Sequence, residues 1–186
     1  MEVKKAIILH GTLGNSRGNW FQWLKLKLED SGMEVWAPDL PKPDSPSLVE
    51  WSDFVIDNSP FSIDEDTALI GHSAGAVAVL IVAQKLHSRV GQVVSVSAFK
   101  DNDYLKWEPN NRLFDIEFDF LKMKQNCKDF LFIHSNDDPY CPLGHAEYLA
   151  KKTGGKLKVI PGQGHFNLEN SKKYREFPEL LDILLV

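Results

Sequence analysis

The sequence is short of cysteine, of long apolar runs and of clustered positive charge. Its two cysteines, Cys127 and Cys141, could form one bridge, but we expect free thiols in a reduced, cytoplasmic setting. The apolar run in the N-terminal segment MEVKKAIILHG is too short for a signal peptide or a membrane span. With 21 basic against 26 acidic residues and no Lys/Arg run beyond two, we expect neither nucleic acid nor a membrane as partner.

Length and patterning predict one α/β domain over residues 1–186. A hydrophobic content of 43% can bury one sizeable core, and apolar runs alternate with helical patterns throughout. The predicted strands are 5–10, 33–41, 67–71, 91–99, 129–135 and 156–162, and the predicted helices are 19–32, 47–58, 73–88, 119–126, 143–155 and 171–186. Such alternation favours a mostly parallel, doubly wound sheet with helices on both faces.

The segment GHSAG, residues 71–75, places a serine between a predicted strand and a predicted helix. This G-x-S-x-G pattern is typical of a tight turn that exposes a nucleophilic hydroxyl, here that of Ser73, at the end of the sheet. Glycines two positions before and after the serine remove side chains that would collide. The next amide, that of Ala74, begins a helix and can stabilise negative charge on a substrate oxygen.

A serine nucleophile needs a base and an acid, which follow it in the chain in this type of fold. Of the later histidines, His87 and His145 fall on predicted helices and His134 lies inside an apolar strand, where packing is the simpler interpretation. His165 lies in the glycine-rich loop PGQGHFNLE after the last strand and is the best candidate for the base.

The acid is expected in SNDDPY, which follows the strand over 129–135. Asp137 and Asp138 compete for this role, and spacing alone leaves the choice open. Paired carboxylates can also bind a metal, but no His/Cys/Asp cluster with ligand spacing accompanies them, so we expect no metal site and no cofactor.

The loop HGTLGNSRGNW after the first strand should complete the site. It can supply the second donor of an oxyanion hole, for which we select the amide of Thr12, with that of Leu13 as the alternative. We expect His10 to order this loop. Leu13 and Trp20 are candidates for the substrate pocket, although Trp20 fits the core equally well. The acidic, aromatic stretch 99–120 either borders the site or forms a solvated loop.

Four segments together resemble a known family: ILHGTLGNSRGNWFQWLK, IGHSAG, SNDDPYCP and GQGHF. They are similar to the small, lidless α/β-hydrolase family of retinoblastoma-binding-protein-nine and YdeN-like serine hydrolases. The resemblance implies a single α/β-hydrolase domain without a large cap. It also implies Ser73 as nucleophile, Asp138 rather than Asp137 as acid, and His165 as base.

The expected activity is that of a serine hydrolase, a carboxylesterase-like enzyme. The resemblance implies small esters or activated amides as substrates, cleaved through an acyl-enzyme without a cofactor. Two alternatives remain at this point. One is an acyltransferase that uses the same triad. The other is a non-catalytic binding protein on the same fold, since a fold does not dictate a function.

Overall fold

The computed structural model describes residues 4–103 and 112–185. Its strands are β1 (Lys5–Leu9), β2 (Glu34–Trp36), β3 (Thr67–His72), β4 (Val90–Val96), β5 (Cys127–His134) and β6 (Lys156–Val159). Its α-helices are α1 (Phe21–Asp30), α2 (Leu48–Asn58), α3 (Ala74–Lys85), α4 (Phe120–Asn126), α5 (Leu143–Thr153) and α6 (Pro178–Leu184), and Lys172–Arg175 forms a 3-10 helix.

The six strands form one sheet in the order β2-β1-β3-β4-β5-β6, and all five pairings are parallel. The predicted parallel sheet is therefore confirmed. Leu9 is in register with Gly71, and His72 with Val96, so β1, β3 and β4 end at the same edge. The strand order reverses between β1 and β3, and open α/β sheets bind their ligands at such a switch point.

Helices cover both faces of the sheet, as the sequence predicted. One face packs against α2, α3, α4 and α5, and every residue from Ala74 to Gln84 in α3 is buried. This explains why α3 is apolar all round. The other face packs against α1 and α6 through residues such as Leu24, Leu28 and Leu180. The core therefore has two apolar layers with the sheet between them.

The prediction of one final helix over 171–186 was wrong. The chain instead forms the short 3-10 helix, leaves helical geometry at Glu176 (φ −134°) and Phe177 (φ −143°), and starts α6 at Pro178. A proline has no N–H to donate and disfavours helical backbone in the residue before it, so it begins a helix rather than continuing one. The second strand is also shorter than predicted and ends at Trp36, just before Ala37 and Pro38.

Two further expectations concern cysteines and membranes. Cys127 and Cys141 form no disulfide, as predicted, and both are buried. None of the helices within the described ranges combines the length and the apolar character that crossing a lipid bilayer requires.

Candidate active site

Ser73 occupies a strained turn between β3 and α3. Its backbone has φ 57° and ψ −123°, a region that non-glycine residues rarely adopt. A Cβ atom on Gly71 would lie 2.1 Å from the carbonyl oxygen of Gly75, and one on Gly75 would lie 2.4 Å from that of His10. Only glycine therefore allows the turn to close on itself and the start of α3 to approach the end of β1.

The turn is tied to the sheet and faces the loop after β1. The amide of Ser73 donates to the carbonyl oxygen of Val96 at 2.9 Å. A Cβ atom on Gly11 would lie 3.4 Å from Oγ of Ser73, so the backbone of this loop borders the hydroxyl directly. The serine hydroxyl is thus held at the carboxyl edge of the sheet, next to backbone groups.

Asp138 and His165 are in direct contact. Nδ1 of His165 lies 2.8 Å from Oδ2 and 3.0 Å from Oδ1 of Asp138. The Asp138 side chain is inaccessible to solvent, and that of His165 is 6% exposed. Oδ1 of Asp138 also accepts hydrogen bonds from the amides of Tyr140 and Cys141, each at 2.9 Å. The carboxylate is therefore fixed in place and holds one orientation of the imidazole.

The charge on Asp138 is retained despite its burial. Burial by itself would raise the pKa of this carboxyl, but the hydrogen bond and charge of His165 and the two backbone amides outweigh it, and the pKa lies below its ordinary value. The competing residue, Asp137, is exposed. It accepts hydrogen bonds from the hydroxyl of Ser135 at 2.5 Å and from the amide of Gly164 at 2.9 Å. Asp137 thus shapes the loop that carries His165.

Sequence reasoning missed two residues that position His165. Nε2 of His72 donates to the carbonyl oxygen of His165 at 2.7 Å, and Oδ1 of Asn170 accepts from its amide at 3.0 Å. The ring centroids of His72 and His165 lie 4.8 Å apart. Complete burial, followed by the nearby His165, lowers the pKa of His72 to about 3, so this ring stays neutral. The variable position of G-x-S-x-G gave no signal of such a role.

The two candidate donors of the oxyanion hole differ in their surroundings. The amide of Leu13 donates to the carbonyl oxygen of Pro43 at 2.7 Å, so this donor already has a partner. Thr12 lines the cavity, as does Ser73, and the amide of Ala74 has no acceptor within its own helix. His10 orders this loop as expected. Its Nδ1 donates to the carbonyl oxygen of Gly11 at 2.8 Å, and its Nε2 accepts from the amide of Leu40 at 2.9 Å.

Ser73, His165 and the β1 loop border one cavity of about 710 Å³. Its described apolar and aromatic lining consists of Leu13, Phe21, Phe99, Tyr140 and Leu168. Within residues 4–103 and 112–185 the Ser73 hydroxyl makes no hydrogen bond.

Trp20, a candidate for the pocket, lies in the core. It is fully buried, and its Nε1 donates to the carbonyl oxygen of Phe166 at 3.1 Å. It packs against Phe21, which does line the cavity. A large ring at the start of an amphipathic helix gains more from packing against the sheet than from facing a solvent-filled cavity.

The stretch 99–120 contributes Phe99 to the cavity within its described part, and residues 104–111 lie outside the described residues. The carboxylate of Asp115 accepts a hydrogen bond from the hydroxyl of Ser47, the residue that caps α2. It also accepts from the amide of Val49 at 3.1 Å. The segment around Asp115 packs on the core and does not border the cavity.

The structure brings together a His/Cys/Asp cluster that ligand spacing along the chain did not indicate. Potential ligand atoms of Asp138, Cys141 and His165 all lie within 4.8 Å of one another. The third member is distant in sequence, and the turn after β5 carries Cys141 towards it. Spacing along the chain could not reveal this cluster.

Comparison with known proteins identifies the family of this chain. A sequence model of the family described as serine hydrolase matches residues 6–185. The chain belongs to the serine hydrolase family. This result confirms the resemblance that the four sequence segments indicated. It covers nearly the whole chain, including the elements that carry Ser73, Asp138 and His165.

Relatives of this chain match over nearly their full length. The protein YdeN of Bacillus subtilis is 29% identical, with 98% of this chain and 95% of YdeN covered. The serine hydrolase RBBP9 of Rattus norvegicus is 28% identical, with 97% and 93% covered. The solved structure of the ydeN gene product from B. subtilis matches with a TM-score of 0.83 at 26% identity, covering 97% of this chain and 96% of that one.

A more distant structure shows the fold alone. The alpha/beta hydrolase domain-containing protein 10 from mouse has a TM-score of 0.70 at 14% identity, with 98% of this chain and 88% of that chain covered. The fold is therefore the α/β-hydrolase fold, and within the described residues no cap domain interrupts it.

The close approach of Gly75 to the backbone at the end of β1 leads to a prediction about stability. We expect Gly75→Ala to lower the free energy of unfolding by about 1–3 kcal/mol or more, because the new methyl group meets the backbone of β1. Gly144→Ala, also in a helix, is the matched control: nothing lies within 4 Å of its Cβ, so it should stabilise by up to about 1 kcal/mol. Urea unfolding measures both. Equal effects of the two substitutions would contradict the close approach.

The burial of neutral His72 predicts how the free energy of unfolding depends on pH. Between pH 6.5 and 3 the unfolded chain binds a proton at this residue and the folded chain does not, so stability is full above pH 6.5 and falls as the pH drops. The slope contributed approaches about 1.4 kcal/mol per pH unit. His72→Gln keeps an N–H donor but cannot titrate, and should flatten this slope in urea unfolding at pH 7, 6 and 5. The exposed control His87→Gln should retain the slope, and an unchanged slope in His72→Gln would refute the assignment.

Proposed function

We propose that this protein hydrolyses small carboxylic esters through an acyl-enzyme on Ser73, with His165 as base and Asp138 as the acid that orients it. One observation carries the proposal. A carboxylate without solvent access is bonded to Nδ1 of an imidazole that borders the same cavity as a serine on a strained turn. This combination supports an activated serine, because the buried charge favours the imidazolium that forms when the serine loses its proton.

The proposed reaction has two halves. Nε2 of His165 takes the proton of Ser73 while the serine oxygen attacks the ester carbonyl, and the amides of Thr12 and Ala74 stabilise the oxyanion. The alcohol leaves with the proton from His165. Water then repeats the sequence on the acyl-enzyme, and Asp138 keeps the ring oriented in both halves. The mechanism needs no cofactor or metal ion.

The cavity supports small substrates. A volume of about 710 Å³ lies within the range of small-molecule sites, and its apolar walls suit a short acyl or aryl group. Leu13, which is 58% exposed, is the proposed substrate contact on the β1 loop. Activated amides of similar size fit the same description. The absence of a disulfide between Cys127 and Cys141 supports a cytoplasmic location.

Labelling with a fluorophosphonate probe tests the proposed nucleophile. We expect one adduct per chain, located on the peptide that contains Ser73 by mass spectrometry, because an activated serine attacks the phosphorus centre. Ser73→Ala should abolish both the adduct and ester hydrolysis while its circular dichroism stays unchanged. Hydrolysis that persists in Ser73→Ala would refute the proposal, and a folded wild-type chain without an adduct would favour a binding protein.

The neighbours Asp137 and Asp138 allow the same substitution to be compared at the proposed acid and at a control position. Asp138→Asn should lower kcat by about 10⁴-fold, because the amide no longer selects the required tautomer of His165. Asp137→Asn keeps an oxygen that can accept from Ser135 and Gly164, so its kcat should stay within about tenfold of wild type. Hydrolysis of p-nitrophenyl acetate measures both variants. A larger loss in Asp137→Asn than in Asp138→Asn would reverse the assignment.

A further inference from the structure

A thiol lies in the wall of the cavity beside the proposed base and acid. Cys141 is buried and lines the cavity. Its amide donates to Oδ1 of Asp138 at 2.9 Å, and its carbonyl oxygen accepts from Nε2 of His134 at 2.8 Å. The backbone of Cys141 is therefore fixed on both sides, and this fixes the position from which its side chain extends.

The thiol completes a set of three different metal ligands. One potential ligand atom each from Asp138, Cys141 and His165 lies within 4.8 Å of the other two. Carboxylate oxygen, thiolate sulfur and imidazole nitrogen are the donors that bind Zn²⁺, at bond lengths of about 2.0–2.3 Å. Tetrahedral coordination at these lengths puts ligand atoms roughly 3.3–3.6 Å apart, so side-chain shifts of about 1 Å would suffice.

Charge and access favour a cation at this position. Backbone amides use only Oδ1 of the Asp138 carboxylate, so Oδ2 remains available to a metal in exchange for its bond to Nδ1 of His165. A thiolate adds a second negative charge when the metal displaces its proton. The cavity gives an ion a path from solvent and leaves room for water as the fourth ligand.

We propose that Asp138, Cys141 and His165 form a binding site for Zn²⁺ that reversibly inhibits the enzyme. On binding, the thiol proton leaves to solvent, and sulfur, carboxylate and imidazole each donate an electron pair to the metal. Nδ1 of His165 is the ring nitrogen that faces Asp138, so it is the one that binds the metal. The ring proton then resides on Nε2, which cannot accept the proton of Ser73. Inhibition thus rests on the proposed function, whereas metal binding does not.

Metal binding is tested without reference to activity. Cd²⁺ replaces Zn²⁺ at thiolate sites and gives an ultraviolet charge-transfer band, and calorimetric titration with ZnCl₂ gives the affinity. The wild-type chain should show the band with one ion bound. Cys141→Ser should lose the band and bind Zn²⁺ at least about 100-fold more weakly. Removal of a residue that only hydrogen-bonds to a metal ligand can already lower metal affinity by that factor, and removal of the ligand itself should lower it at least as much. Cys127→Ala, which removes the other thiol, is the control and should retain both properties.

Inhibition is tested on the same three chains. Zn²⁺ should suppress ester hydrolysis in the wild type and in Cys127→Ala, with activity restored by EDTA, and Cys141→Ser should need at least tenfold more Zn²⁺ relative to its own uninhibited rate. A wild-type chain without the Cd²⁺ band, or a Cys141→Ser chain with wild-type Zn²⁺ affinity, would overturn the site. A metal-binding wild type that hydrolyses no ester would overturn the proposed function instead and leave the site standing.

Discussion

A carboxylate kept out of water and bonded to an imidazole determines how the rest of the site is arranged. Burial of Asp138 disfavours its charge, and the charge persists because His165 and two backbone amides compensate for the lost hydration. These partners belong to two loops, one after β5 and one after β6. The two strands are neighbours, so the sheet brings the loops together at one edge.

A second requirement is that three segments approach each other without side chains between them. Gly11, Gly71 and Gly75 allow the β1 loop, the end of β3 and the start of α3 to come into backbone contact around Ser73. The same closeness positions the amide of Ala74 and the loop that carries Thr12 on one side of the cavity. Backbone strain at Ser73 is thus supported by the packing of α3, which is buried on all sides.

The sequence predicted the parts of the structure that depend on local patterns. Alternating apolar runs and helical periods identified the parallel sheet, and the tight turn at Ser73 was predicted from glycine spacing. The last helix was not predicted correctly, because Pro178 begins a helix of its own and does not continue one from the 3-10 helix.

Contacts between distant residues could not be predicted from the pattern. His72 and Asn170 position His165 through its backbone atoms, and no side-chain motif reports such contacts. Trp20 fitted core and pocket equally until the packing of α1 placed it in the core. The proximity of Cys141 to His165 depends on the course of two loops, which spacing along one chain does not encode.

The most direct test of the account is rapid quenching of the protein with p-nitrophenyl acetate in acid, followed by mass spectrometry of its peptides. The account predicts an acetyl group on Ser73 that forms with the first equivalent of nitrophenol and disappears as the substrate is exhausted. Steady release of nitrophenol with no acetyl group on Ser73, or with the acetyl group on another residue, would contradict it.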